Sequence, residues 1–141
     1  MSSKGAVWLA IAVAVLLASA GCSEPAVEQV DPGTEFTLSV GEGATIAGED
    51  LQVVFVEVIS DSRCPTGATC IWAGEASCLI DITDGDATQS KVLTQPGAST
   101  PATTDYASYE IAFDILPYPE LGKETQTEDY RLHLTISRKP A

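Results

Sequence analysis

The side chains able to do chemistry are few and poorly spaced for it. His133 is the single histidine in 141 residues, and nucleophilic hydrolysis needs a base held beside its nucleophile. The sequence has no G-x-S-x-G elbow, and His133 alternates with Arg131 and Thr135, which places it on the outward side of a strand. The 20 acidic residues are scattered, so no carboxylate pair stands out for acid–base work. Asp81, Asp84 and Asp86 are the one dense acidic group. They lack the Asp-x-Asp-x-Asp-Gly register and closing Glu of a calcium loop, and Asp84-Gly85-Asp86 reads as a hairpin turn instead. No catalytic residue, metal site or cofactor is expected.

Four cysteines remain: Cys22, Cys64, Cys70 and Cys78. A closed zinc site wants four thiolate or imidazole ligands at short spacings, and the sequence offers neither a CxxC pair nor a nearby histidine. Cys64 and Cys70 flank Pro65-Thr66-Gly67-Ala68-Thr69, a tight polar turn that can bring two Cα atoms within the roughly 4.4–6.8 Å a disulfide accepts. A Cys64–Cys70 bridge is therefore expected. Cys78 lies eight residues further along an extended run, about 26 Å at roughly 3.3 Å per residue, and reads as a small buried hydrophobe. If Cys22 is unmodified, a Cys22–Cys78 bridge becomes available.

Around the expected bridge, Asp61-Ser62-Arg63-Cys64-Pro65 leads through the short loop to Cys70-Ile71-Trp72-Ala73-Gly74. This DSRCP…C-x-W-x-G arrangement resembles a family of uncharacterised small bacterial secreted proteins and lipoproteins. The resemblance takes in the preceding strand and, loosely, Pro117-Tyr118-Pro119 and Tyr130-Arg131-Leu132, and it implies no activity. Two readings of these residues stand side by side. In the structural one, the bridge pins the loop, Trp72 packs over it, Gly74 relieves crowding, and Arg63 pairs with Asp61 or a neighbouring carboxylate. In the functional one, Asp61, Arg63 and Trp72 form a recognition surface on an ordered loop.

The elements that must position these residues alternate with period two. Phe36, Leu38 and Val40 share one parity before Gly41. Leu51–Ile59 is β-branched on both parities and reads as a central strand covered on both faces. Trp72, Gly74, Ala76, Cys78, Ile80 and Ile82 share an inward parity, and Lys91–Thr94 returns from the hairpin. Residues 94–105 read as loop. Tyr109, Ile111, Phe113 and Ile115 form one further strand, and Tyr130, Leu132, Leu134 and Ile136 the last. No helical periodicity appears after the first 22 residues. The expected fold is all-β: one antiparallel, immunoglobulin-like two-sheet β-sandwich of six to seven strands over residues 35–139, with an open β-barrel as the alternative.

Residues 1–21 read as a secretory signal peptide: Lys4, an unbroken apolar stretch from Ala6 to Ala18, then small residues. Ala18-Ser19-Ala20-Gly21-Cys22 resembles the lipobox of bacterial lipoproteins, which implies diacylglycerol on Cys22 and anchoring by two or three acyl chains. Ser19 departs from the aliphatic residue usual there, and Ala18-Ser19-Ala20 is itself an A-x-A site, so soluble secretion is the alternative. Residues 22–34, with two prolines and an Asp-Pro-Gly turn, read as a flexible tether. After the signal the chain has six basic against 20 acidic residues, a formal charge of −14. Its singly scattered Lys and Arg exclude nucleic acid. The expected protein is a monomer in the cell envelope, a non-catalytic binding module or a structural lipoprotein, held at the membrane by its lipid and open to an envelope protein partner.

Overall fold

The computed structural model describes Gly21 and residues 27–97 and 101–141. The apolar signal stretch and Cys22 lie outside these residues. Among the described residues nine strands form in chain order: β1 (Val27–Val30), β2 (Glu35–Ser39), β3 (Gly43–Ile46), β4 (Leu51–Asp61), β5 (Glu75–Asp84), β6 (Ala87–Pro96), β7 (Ala102–Tyr106), β8 (Tyr109–Leu116) and β9 (Arg131–Arg138). A 3₁₀ turn covers Thr127–Asp129. Two unclosed sheets result, ordered β1-β3-β4-β5-β6 and β2-β9-β8-β7. The all-β sandwich expected from the alternation is what forms, with nine strands where six to seven were expected.

Burial follows the pleat, because successive side chains point to opposite faces. One sheet turns Leu51, Val53, Phe55, Ala76, Cys78, Ile80, Ile82 and Leu93 inward. The other answers with Phe36, Leu38, Ile111, Phe113, Ile115, Leu132, Leu134 and Ile136. These are the inward sets that the alternation of β2, β5, β8 and β9 marks out.

Four expectations are corrected. The segment read as tether contains β1, which pairs in parallel with β3 from Val27↔Gly43 to Val30↔Ile46 and buries Val30. β4 is buried on one face only, its second face being half-exposed or exposed. It stays long because two irregularities, between Phe55 and Glu57 and between Val58 and Ser60, bend the strand and bring Asp61 back to the inward side opposite Ala76. Residues 94–105, read as loop, contribute the end of β6 and nearly all of β7. Trp72 and Gly74 precede β5 rather than belonging to it.

Candidate functional site: the loop between β4 and β5

The connection from Ser62 to Gly74 continues the β4–β5 ladder before it opens. The Ser62 amide donates to the Glu75 carbonyl at 2.8 Å and the Cys64 amide to the Ala73 carbonyl at 2.9 Å. Cys64 and Cys70 are disulfide-bonded with Cα atoms 5.9 Å apart, as their spacing allows. Gly74 has φ +70°, and a Cβ there would overlap the Ser62 carbonyl oxygen. Only glycine meets both demands. Its left-handed backbone also ends the parity of β5, which is why Trp72 does not turn inward.

A second loop braces the first. The Thr66 amide donates to the Pro119 carbonyl at 2.8 Å, and the Leu121 amide to the Thr66 carbonyl at 3.1 Å. On the β6 side, the Gly97 amide donates to the Gly74 carbonyl at 2.8 Å.

Beneath the loop lies a buried polar network built on Arg63. Its Nε and Nη2 donate to the two oxygens of Asp61 at 2.9 and 2.7 Å, a bidentate ion pair. Nη1 donates to the Ile115 carbonyl at 2.7 Å and Nη2 also reaches the Pro117 carbonyl at 3.0 Å. The guanidinium lies 4.7 Å from the centroid of the Tyr118 ring. The Tyr130 hydroxyl donates to Asp61 at 3.2 Å.

Gln95, fully buried, extends the network. Its amide nitrogen donates to Asp114 at 2.6 Å and to the Tyr118 hydroxyl at 3.0 Å. Its oxygen accepts from the Ile115 amide at 2.7 Å, and the Tyr118 hydroxyl donates to Asp114 at 2.8 Å. Both main-chain groups of Ile115, two residues beyond the Ala102↔Phe113 pair that begins β7, are thus held by side chains, one from β6 of the opposite sheet and one from the β4–β5 loop. Burial and the neighbouring carboxylates raise the ionisation of Tyr118 and Tyr130 above the ordinary phenol value, keeping both hydroxyls protonated as donors.

The sequence singled out Asp61, Arg63 and Trp72, and the structure divides them. Asp61 and Arg63 are partners, with side chains 8% and 1% exposed, so neither faces outward. Arg63 joins the sheets. Trp72 is 79% exposed, and Ile71 beside it is fully exposed. Leu121 on the bracing loop is 66% exposed. Gln95, Asp114 and Tyr118 were not singled out as site residues, because the bonds that tie Gln95 to Asp114 and Arg63 to Pro117 cross 19 and 54 residues and leave no local signal.

Elsewhere the chemistry is quiet. His133 lies 3.7 Å from the Glu35 carboxylate beside a pit of about 70 Å³, far below the volume of an ordinary ligand pocket. Asp81 accepts from Ser90 at 2.6 Å, and Gly85 turns the hairpin with φ +59°. No cluster of three metal-ligating side chains occurs among the described residues. Cys78 is fully buried, and burial pushes its thiol up to about 12, which keeps it protonated and unreactive at neutral pH. A shallow cleft of about 340 Å³, lined by Ser62, Trp72, Gly74 and Glu75, opens beside the loop. No protein-family model, curated protein or solved structure matches the chain.

Proposed function

We propose that this protein is an exported, lipid-tethered and non-catalytic β-sandwich module that offers the β4–β5 loop as its binding surface. The observation that carries this reading is the contrast within a single loop. Its base is held by a disulfide, a glycine fit and a buried ion pair, while its tip leaves Ile71 and Trp72 bare to water. Single exposed apolar side chains are ordinary, but neighbouring bulky ones on a rigid support favour a covered surface. A rigid support also lowers the ordering cost of binding. The lipobox-like segment ending at Cys22 supports the tether.

The test is intact mass of the protein taken from bacterial membranes, alkylated in denaturant before and after reduction. The expected chain begins at Cys22, carries diacylglycerol, and shows one alkylated thiol before reduction and three after. An unmodified chain released into the soluble fraction would remove the tether from this reading. The binding role is checked with Ile71→Ser/Trp72→Ser, expected to lose ligand while keeping its melting temperature. A variant that changes stability alone would favour a purely structural lipoprotein.

A further inference from the structure

The strands at the margins of the two sheets are unequal. β1, β2 and β7 have four or five residues, and each carries a carboxylate, Glu28, Glu35 and Asp105 respectively. β6 runs beside β5 for ten residues with no break in register. Among the described residues it has a sheet partner on one side only. Protein edges are ordinarily kept short, bulged or charged, because their unpaired main-chain groups recruit further strands. The stretch from Ala87 to Thr104 contains no Asp or Glu in a chain with 20 of them, and Lys91 is the one charge on β6.

The ladder fixes which groups of β6 are free. Asp84 and Ala87 face each other across the two-residue turn Gly85-Asp86, so they form the hydrogen-bonded pair that closes the hairpin. At the other end, the bond from the Gly97 amide to the Gly74 carbonyl keeps the same phase. Alternation then leaves Thr88, Ser90 and Val92, opposite Thr83, Asp81 and Leu79, with amides and carbonyls that point away from β5. Side chains approach closely across such pairs, and they do so here. The Thr83 and Thr88 hydroxyls are 2.9 Å apart, and Ser90 donates to Asp81 at 2.6 Å. Thr88, Ser90 and Val92 are all exposed, Val92 by 52%.

We propose that β6 pairs antiparallel with β6 of a second copy of this chain, in place of the monomer that the sequence suggests, so that two five-stranded sheets become one of ten. Charge selects this occupant. Each copy has a formal charge of −14 beyond the signal, and β6 is the edge, among the described residues, along which two copies meet without a carboxylate. A two-fold axis at Ser90 centres the free stretch. Ser90 then meets its own counterpart, Val92 meets Thr88 of the second copy, and Lys91 lies opposite Gln89. An axis at Lys91 would set two ammonium groups opposite each other, and one at Val92 would bring in Pro96, which has no amide to donate. The contact is small beside the roughly 1,600 Å² of a standard interface, and both copies are acidic. The dimer is therefore weak, and salt strengthens it by screening the repulsion.

The experiment is sedimentation of the purified full chain over a range of concentrations, in detergent micelles kept in excess of protein. The expected result is a dimer at the highest concentrations, with a share that rises with salt. Ser90→Pro removes an amide that β5 does not use, so it is expected to keep its circular dichroism spectrum while its sedimenting mass halves. Thr88→Glu/Val92→Glu sets like charges opposite each other across the axis and is expected to be monomeric as well. Thr88→Lys/Val92→Glu sets Lys opposite Glu twice and is expected to dimerise again. A parent chain that stays monomeric at high concentration and high salt overturns the proposal and makes Lys91 a guard of the edge. A dimer that survives Ser90→Pro, or one that the two charged variants weaken alike, overturns it too.

Discussion

Both ends of the sandwich join their sheets with the same three chemical groups, an arginine, a carboxylate and a tyrosine. At the loop end, Arg63 grips Asp61 in the interior, stacks over Tyr118 and reaches two carbonyls of the opposite sheet. At the far end, Arg138 pairs with Glu49, which also accepts from the Tyr109 hydroxyl at 2.7 Å, and the guanidinium lies 5.4 Å from that ring's centroid. The difference is water. The Arg63 side chain is 1% exposed and that of Arg138 58%. A solvated pair adds little because solvent screens it and its flexible chain must be ordered. A buried pair is weak evidence for stability as a pair, yet breaking it strands a charge where water cannot reach. The two ends therefore look alike in composition and differ in what their loss does.

The largest expected effect comes from Arg63→Ala, which removes the countercharge from buried Asp61, leaving it the Tyr130 hydroxyl and the residue-63 amide, and takes the side-chain donor from the Ile115 carbonyl. A loss of about 3–5 kcal/mol is expected in urea unfolding, and a loss below 1 kcal/mol would show that water enters the site and that the two ends are equivalent. Removing the bridge with Cys64→Ser/Cys70→Ser is expected to cost about 2–3 kcal/mol on loop-closure grounds, with circular dichroism unchanged because the Arg63 network is untouched. Tyr118→Phe keeps the ring under Arg63 but deletes one donor and one acceptor, with about 1 kcal/mol expected in the same melts. Gln95 and Asp114 still hold each other in that variant.

The smallest effect belongs to Arg138→Ala, expected to move the melting temperature less than any of these. Its signature is in pH. Hydrogen bonds from Arg138 and Tyr109 hold the Glu49 carboxyl below its usual value of 4.5. The stability this adds is present above that value and is lost as pH falls through the depressed one. Acid titration of the melting temperature should therefore show a shallower fall for Arg138→Ala than for the parent. An unchanged acid limb would mean that Glu49 owes its shift to Tyr109 alone.

Much of the frame is legible in the sequence where one face is apolar and the other polar. Tyr109-Glu110-Ile111-Ala112-Phe113 and Arg131–Arg138 announce both strand and inward face, and Asp84-Gly85-Asp86 announces its hairpin. β1 is hidden because Val-Glu-Gln-Val buries a single side chain and its partner is parallel. β7, Ala-Thr-Thr-Asp-Tyr, hides because an edge strand buries little. Trp72 shows how a parity argument fails: the pattern extends through Gly74, but a left-handed glycine ends the strand there. The bridge was legible from local spacing. The fate of Arg63 was only half so, since Asp61 is two residues away while its other partners lie more than fifty residues downstream.

The parallel edge strand also has a mechanical meaning. A pull on the chain ahead of Val27, directed toward the loop end, runs along the axis of β1 and loads its ladder to β3 in shear. The bonds from Val27 to Val30 then share the force instead of parting one at a time as in peeling. The Gly33 amide, donating to Ile136 at 2.8 Å, passes what remains to the second sheet. The domain is thus harnessed to its leading segment so that tension spreads across both layers before any strand is stripped away.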